Sequence, residues 1–150
     1  MRLADAILDD CLCDPAAPLA RDPARCYSLD KAQAQAQLTS LKDWLRVQQT
    51  MLWANRRDAL LLVLQGPDCS GKNGVIRRVL GGLDPIGLSP HSFQAPSAEE
   101  RRQDFLRRYR ERLPAPGMLG VFNRSYYEAL VSDLRDGLCT PTDIPQRQSA

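Results

Sequence analysis

The sequence predicts an α/β protein in which a parallel β-sheet lies between two layers of helices, a three-layer α/β/α fold. Three observations predict it. Short apolar segments alternate with segments of helical periodicity along the 150 residues, an order typical of β-α-β units with right-handed crossovers. Residues 59–64 are continuously apolar, as in a strand buried on both faces of a parallel sheet. With 43% hydrophobic and 25% charged residues, the composition is typical of one globular domain.

The chain begins with an expected irregular leader, followed by a long helix. Residues 1–27 contain Pro15, Pro18 and Pro23, which disfavour regular structure. From Ser28, the predicted N-cap, to Ala54, leucines recur at spacings of three, four and seven, which is the pattern of one amphipathic helix. This helix opens the predicted domain at 28–136.

The remaining elements are predicted to alternate between strand and helix. In chain order they are a helix at 75–80, a strand at 89–94, a helix at 97–113, a strand at 118–122 and a helix at 125–136. Ser97 and Glu100 form a capping-box pattern at the start of the helix at 97–113, and Pro114 follows the end of this helix. Residues 137–150 are expected to form a frayed tail.

Composition and charge exclude several classes of protein. The apolar run at 59–64 is far shorter than the roughly 18 residues that span a bilayer, and residues 1–12 lack the hydrophobic core of a secretory signal. The five cysteines include no C-x-x-C pair and do not group with the single histidine at zinc-ligand spacing. A net charge of +2 does not indicate nucleic acid. We therefore expect a cytoplasmic protein with neither a membrane nor a nucleic acid as partner.

A glycine-rich loop separates the first predicted strand from the helix that follows it. Glycines at 66 and 71 followed by Lys72 match the phosphate-binding loop, in which backbone N–H groups wrap phosphates and the lysine adds a positive charge. Asn73 stands where this motif normally has the Ser or Thr that holds magnesium, so Asp68 is the candidate metal ligand. The candidate phosphate-binding residues of the loop are Gly66, Ser70, Gly71, Lys72, Asn73 and Gly74. The alternative is a glycine-rich turn that binds no ligand.

A second polar segment follows the strand at 118–122. Asn123 comes where phosphate-loop enzymes normally carry an acidic residue that organises magnesium, and its amide oxygen is able to ligate a metal without bringing charge. Arg124 is a candidate to pair with a phosphate oxygen. The alternative for Arg124 is an ion pair with Glu128, four residues along the following helix.

The predicted helix at 97–113 is rich in arginine. At 100° per residue, Arg101, Arg108 and Arg112 fall on the flank of an apolar arc. They either form a basic ridge that attracts a polyanion or belong to an ordinary solvated face.

Several of these motifs, in the same order, resemble those of the polyphosphate kinase 2 family. The matching segments are residues 61–74, 92–97, 104–106, 113–114 and 120–128. The resemblance covers Leu38 to about Leu130 and implies a P-loop kinase-like fold similar to that of thymidylate kinases. It also implies phosphoryl transfer between inorganic polyphosphate and nucleotides, with Mg²⁺ as cofactor. Asp68 and Lys72 then belong to the Walker A site, Asn123 and Arg124 occupy the Walker B position, and Arg108 matches the family's helix arginine.

Two departures from the family pattern leave an alternative function open. Members of the family carry an aspartate either in place of Asn123 or directly after the residue that matches Glu128, and here that position is Ala129. The family also continues into an arginine-bearing lid, so the fold is expected to be incomplete at its C-terminus. The alternative is an impaired homologue that binds polyphosphate or nucleotide, or pairs with a full-length partner. Sheet edges left open by missing strands predict a homo-oligomer. A nucleotide kinase that uses ATP as its donor is a further alternative.

Overall fold

The computed structural model of the chain describes Ala16 and residues 30–148, apart from the side chains of residues 131 and 132. The expected leader at 1–27 lies outside the described residues except for Ala16. The chain divides into two units, Met1–Ala34 and Gln35–Ala150. The sheet and the candidate site belong to the second unit.

Helices and strands alternate along the described residues. They are α1 (Lys31–Asn55), β1 (Leu60–Leu64), α2 (Lys72–Val75) with a π-helical turn (Ile76–Leu80), a 3-10 turn (Pro85–Gly87), β2 (Leu88–Ser92), a second 3-10 turn (Glu100–Arg102), α3 (Arg107–Arg110), β3 (Leu119–Asn123), α4 (Glu128–Arg135) and α5 (Ile144–Gln148). The predicted α/β class is confirmed. Of the helices described, none has the length and apolar character needed to cross a membrane.

The three strands form one parallel sheet in the order β1-β3-β2. In this register Asn123, at the end of β3, lies between Leu64 at the end of β1 and Ser92 at the end of β2. The carboxyl ends of all three strands therefore meet at one edge, where ligands bind in open α/β sheets.

Burial in the sheet is concentrated in β3. The first four residues of β3 are all buried, whereas Leu60 of β1 is 57% exposed and the rest of β1 is only partly buried. The prediction that residues 59–64 form a strand buried on both faces is wrong. Within residues 30–148, β1 pairs with β3 alone, so one of its edges is not covered by another strand. The central position in the sheet belongs to β3.

A hydrophobic cluster covers each face of the sheet. The buried residues of the first cluster are Leu80, Leu83, Leu119 and Val121, with Leu45 and Leu52 of α1 packed against them. The buried residues of the second are Phe93, Tyr109 and Phe122. Since successive residues of a strand point to opposite faces, β3 supplies Val121 to one cluster and Phe122 to the other. This arrangement corresponds to the predicted three layers.

The start of α1 is capped by Asp30. The Oδ1 of Asp30 accepts a hydrogen bond from the backbone N of Gln33 at 2.8 Å, and the Asp30 N–H donates to Gln33 Oε1 at 3.4 Å. This reciprocal pair is a capping box. The predicted N-cap, Ser28, lies outside the described residues, and the helix begins at Lys31.

The arginine-rich segment is not one helix. The predicted capping box forms, with Ser97 N donating to Glu100 Oε2 at 2.7 Å and Glu100 N donating to Ser97 Oγ at 3.2 Å, but it opens only a 3-10 turn. Gln103 is extended, with φ −111° and ψ 170°, and Asp104 Oδ1 accepts from Leu106 N at 3.1 Å. Such local side-chain bonding competes with helix formation. The predicted ridge of Arg101, Arg108 and Arg112 on one helical face is therefore wrong.

The predicted frayed tail is also wrong over part of its length. Residues 144–148 form α5, and Arg147 Nη1 donates to the carbonyl of Ala129 at 2.7 Å and to Asp133 Oδ2 at 2.9 Å. The guanidinium of Arg147 also lies over the Phe105 ring, 5.0 Å from its centroid. These contacts with distant residues hold α5 against α4, and nothing within the tail's own sequence signals them.

Candidate functional site

A cleft lies at the carboxyl edge of the sheet. Its walls are the glycine-rich loop and the residues that follow β2 and β3: Asp68 to Gly74 and Arg77 on one side, Ser92 to Ala95, Asn123 and Arg124 on the other. We call it the loop cleft. With the exception of Gly66 and Arg108, every candidate site residue named from the sequence lines it.

The loop adopts a conformation that leaves room beside its backbone. Cys69 and Gly71 have positive φ values of 63° and 91°, and the second favours glycine because a side chain is strained there. A Cβ built on Gly71 or Gly74 meets no heavy atom of the described chain within 4 Å. The space beside these two residues is therefore open to a ligand that approaches the backbone closely.

Lys72 folds back over the loop that precedes it. Its Nζ donates to the carbonyls of Gly66 and Pro67, both at 2.7 Å, and lies 3.4 Å from Ser70 Oγ. An ammonium has three donors and no acceptor, so the loop satisfies it with neutral oxygens. Phosphate oxygens form stronger, charge-assisted bonds with such a group, and a phosphate is therefore able to displace these contacts.

Arg124 joins the two sides of the loop cleft. It follows β3 with φ 67°, and its Nη2 donates to Asp68 Oδ1 at 2.5 Å. Its Nη1 lies 3.7 Å from Glu128 Oε2. The ion pair with Glu128 is thus present, and Arg124 also lines the cleft, while its pairing with a phosphate oxygen stays a prediction. Asp68, the candidate metal ligand, has a side chain that is 77% exposed.

Asn123 lines the loop cleft and bonds to one residue on each side of it. Its Nδ2 donates to Asn73 Oδ1 at 2.8 Å and to Ser92 Oγ at 3.3 Å. Its Oδ1 is buried and has no hydrogen-bond donor among the described residues. An unsatisfied buried oxygen is costly, so this atom is available to a cation or to a donor on a ligand. Sequence reasoning missed Ser92, although its register opposite Asn123 places it here.

A hydrogen-bond network around the buried Ser125 fixes the turn that carries Arg124. Ser125 is fully buried, and its hydroxyl donates to Gln65 Oε1 at 3.1 Å and accepts from Tyr127 N at 3.3 Å. Gln65 Nε2 donates in turn to Glu128 Oε1 at 2.7 Å. The network ties the residue before the glycine loop to the start of α4. Sequence reasoning missed it, because its partners lie about 60 residues apart along the chain.

A second cavity lies next to the loop cleft, and we call it the adjacent cavity. Arg108, Arg124 and Ala129 are among its lining residues, so Arg124 borders both spaces. Arg108 Nη2 donates to the carbonyl of Gln94 at 2.9 Å, and its guanidinium lies over the ring of Phe93. The structure thus places Arg108 beside the loop cleft and not within it.

Glu100 forms part of the wall of the adjacent cavity. The pKa of Glu100 is held below its ordinary value, first by the backbone N–H of Ser97 and also by the charge of Arg108. Its Oε1 lies 3.4 Å from Arg108 Nε. The carboxylate therefore stays charged near neutral pH and keeps Arg108 turned toward the segment that follows β2.

Ala129 occupies the position where the family resemblance led us to look for an acid. It is 3% exposed, and its carbonyl oxygen accepts from Arg147. No group of three or more His, Cys, Asp or Glu residues able to hold a metal occurs within the described part of the chain. The oxygens available to a cation in the loop cleft are therefore the Asp68 carboxylate and neutral groups such as Asn123 Oδ1.

Comparisons with known proteins show the family to which the chain is similar. The family model described as Polyphosphate kinase 2 (PPK2) matches residues 28–149. The chain is 51% identical over 83 residues to an ADP-polyphosphate phosphotransferase of Rhodopseudomonas palustris, which is 55% of this chain and 29% of that protein. It is 36% identical over 107 residues to an AMP/ADP-polyphosphate phosphotransferase of Meiothermus ruber, which is 71% of this chain and 40% of that protein.

A solved structure gives the same result. The crystal structure of polyphosphate kinase 2 from Arthrobacter aurescens superposes with a TM-score of 0.78 at 34% identity, covering 87% of this chain and 48% of that one. The chain spans less than half the length of each of these three relatives.

Proposed function

We propose, since the chain belongs to the polyphosphate kinase 2 family, that it transfers phosphoryl groups between inorganic polyphosphate and nucleoside mono- or diphosphates. One observation carries the proposal. Lys72 from the glycine loop and Arg124 from the end of β3 line the same cleft, at the edge of the sheet where the backbone beside Gly71 and Gly74 is open. Two cations and an open glycine loop are what a phosphate chain requires.

We assign different tasks to the two cations. Lys72 carries a compact charge that follows a phosphate as it moves, and its present partners are backbone carbonyls that a phosphate outcompetes. Arg124 presents a planar fork that orients a phosphate through two parallel hydrogen bonds. The buried Ser125 next to it fixes the backbone position of Arg124, so that only its side chain turns when substrate binds. Positioning and charge stabilisation supply most of the rate enhancement in phosphoryl transfer.

We propose Mg²⁺ as the cofactor, and the donors in the cleft fit it. Mg²⁺ is usually held by one or two carboxylates together with substrate phosphates and water. The cleft offers the exposed carboxylate of Asp68 and the unsatisfied Oδ1 of Asn123. When bound, the ion neutralises charge on the phosphate oxygens. Asp68 and Asn123 would hold it, while Arg124, which now pairs with Asp68, turns to the phosphates.

The adjacent cavity is the proposed place for the second substrate. Arg108 lines it, and Arg124 belongs to both spaces. Substrates bound in the two cavities meet at Arg124, which is the geometry that transfer of a phosphoryl group requires. Under this proposal Arg108 binds a phosphate of the nucleotide and contributes nothing to the loop cleft itself.

We also propose that the protein acts in the cytoplasm as a homo-oligomer. Leu41, Trp44, Val47 and Met51 lie along one side of α1 and are each more than half exposed. A contiguous apolar stripe of this kind marks an interaction surface. A second copy of the chain is the proposed partner.

Phosphotransfer assays test the proposal. ATP formed from ADP is detected by luminescence, and ADP formed from AMP by a coupled assay, with polyphosphate and Mg²⁺ present. We expect turnover that is lost in Lys72→Ala and kept in Lys31→Ala, an exposed lysine outside the cleft. Equal turnover in Lys72→Ala would overturn the proposed role of the loop. Absence of turnover in the unaltered protein, with polyphosphate still retarding it on a gel, would favour the alternative of a non-catalytic binding protein.

A further inference from the structure

A basic groove runs between α1 and the π-helical turn, outside both spaces described above. Its charged lining residues are Lys42, Asp43, Arg46, Arg77 and Arg78. We propose that this groove binds a further stretch of the polyphosphate chain whose end occupies the loop cleft. The proposal rests on the proposed function and deepens it, because it names the polymer, and not the nucleotide, as the ligand of this second surface.

One wall of the groove is fixed by Arg46. Its Nε donates to the carbonyl of Gly82 at 2.9 Å, and its Nη1 pairs with Asp43 at 2.5 Å. The first bond anchors α1 to the segment that follows the π-helical turn. The ion pair neutralises Asp43, which is the acidic residue in the lining of the groove.

The remaining cations of the groove are open to a ligand. Arg78 is exposed and Lys42 is partly exposed, and neither forms an ion pair within residues 30–148. Lys42 and Arg46 lie four residues apart on α1, which puts them on the same side of the helix about 6 Å apart along its axis. A row of positive groups at such a spacing suits an anion whose charge repeats along a chain.

Arg77 connects the groove to the loop cleft. It lines both spaces, and its Nε donates to the carbonyl of Asn73 at 3.4 Å, one turn earlier. The positive surface is thus continuous from Lys72 past Arg77 to Lys42 and Arg78. A mononucleotide bound in the loop cleft would not reach the far end of this path, whereas a polymer of phosphates would.

The lining of the groove argues against nucleic acid as its ligand. Single-stranded nucleic acids bind through basic grooves that also carry aromatic side chains on which bases stack. The described lining of this groove contains no aromatic residue. Inorganic polyphosphate has no bases and needs only the charges.

The test compares long-chain polyphosphate with tripolyphosphate. The variant is Lys42→Gln/Arg78→Gln, and the matched control is Arg57→Gln/Arg102→Gln, which removes two exposed charges outside every cavity described here. Titration calorimetry at several salt concentrations gives the ratio of long-chain to tripolyphosphate affinity. We expect this ratio to fall by up to about 25-fold at about 0.1 M salt, with the salt slope reduced by about 1.4, since each phosphate contact contributes about 0.7 to that slope. The control keeps the wild-type ratio.

Several results would overturn the proposal. The first is an affinity ratio that is unchanged in the variant, and the second is an equal fall of this ratio in the control. The third is that oligothymidylate binds the wild type as tightly as long-chain polyphosphate does and that the variant weakens its binding to the same extent. Failure of the proposed function looks different: the wild type then binds neither tripolyphosphate nor the long chain, and the groove proposal falls with it. Tripolyphosphate binding together with an unchanged ratio refutes the groove alone.

Discussion

The glycine loop and the turn after β3 face each other across the loop cleft, but they are held in place by different means. Residues 68–71 of the loop are all exposed, and Lys72 is bound to carbonyls of the loop itself. In the turn, the Arg124 N–H donates to the carbonyl of Leu64 at 3.0 Å, and Ser125 is fully buried. The loop is stabilised mainly by its own atoms, whereas the turn is tied to β1 and α4.

This difference separates the tasks of the two walls. Exposed segments with few buried contacts open at little cost in free energy, so the loop is free to rearrange around a phosphate. The turn belongs to the folded core and presents Arg124 in one place. Substitutions in the loop should therefore affect activity more than stability, and substitutions beneath the turn should do the reverse.

The largest expected effect is on the loop side. Lys72→Ala should lower turnover about 100- to 1,000-fold, which is the loss expected when one donor to a reacting oxyanion is removed, because Lys72 is the only lysine of the loop. The midpoint of urea unfolding should stay close to that of the wild type. Loss of stability comparable with the loss of activity would show that the lysine holds the fold together, and the proposed contrast between the walls would fail.

The next effect is at Arg124, where the two walls touch. Arg124→Gln should lower turnover about 10- to 100-fold, since hydrogen bonds to charged groups contribute about 1.5–3 kcal/mol. Arg124→Lys should restore little of it, because a lysine cannot form two parallel bonds to a phosphate. Steady-state kinetics of both variants provide the measurement. Full rescue by lysine would mean that only the charge at this position matters.

Beneath the turn, Ser125→Ala should mainly reduce stability. It removes the two hydrogen bonds of the buried hydroxyl, to Gln65 Oε1 and Tyr127 N, and a hydrogen bond of this kind contributes about 0.5–1.5 kcal/mol. Ser70→Ala in the exposed loop is the matched control and should change stability by less than about 0.5 kcal/mol. Urea unfolding monitored by tryptophan fluorescence measures both. Equal changes in the two variants would contradict the difference between loop and turn.

The smallest effect concerns the wall of the adjacent cavity and depends on pH. Because the pKa of Glu100 is lowered from 4.5 in the folded state, its charged form adds stability above that value, and this contribution is lost as pH falls through the lowered pKa. Glu100→Gln should cost at most about 1 kcal/mol at neutral pH, the usual loss of a capping interaction, and nothing at acid pH. Glu99→Gln serves as the control. If the wild type and Glu100→Gln still differ in their free energy of unfolding at acid pH, the charged carboxylate is not the source of the difference.

Local motifs explain which parts of the site could be predicted from the sequence. The glycine loop is contiguous, and Lys72, Asn73 and Asp68 line one cleft as expected from their spacing. Arg124 and Asn123 join them because parallel strands end at the same edge of the sheet. The order of strand, loop and helix was sufficient to place these five residues together.

Other features depend on contacts that sequence periodicity does not report. The helix predicted at 97–113 is interrupted at Gln103, where local bonding by Asp104 competes with the helical pattern. Similarly, α5 depends on Arg147 reaching Asp133, and the turn depends on Ser125 reaching Gln65. Each of these is a pairing between distant or non-periodic positions. A pattern of apolar residues along the sequence does not indicate such pairings.

Hydrogen exchange of backbone amides tests the contrast between the two walls most directly. Exchange at residues 66–74 and at residues 119–125 is compared by mass spectrometry with and without tripolyphosphate and Mg²⁺. We expect the ligand to slow exchange strongly in the loop, where phosphate oxygens take up open N–H groups, and to leave the turn unchanged because the Arg124 N–H is already bonded to Leu64. Our account holds that the turn is already fixed and that the loop becomes ordered when phosphate binds. Equal protection of both segments, or protection of the turn alone, would contradict it.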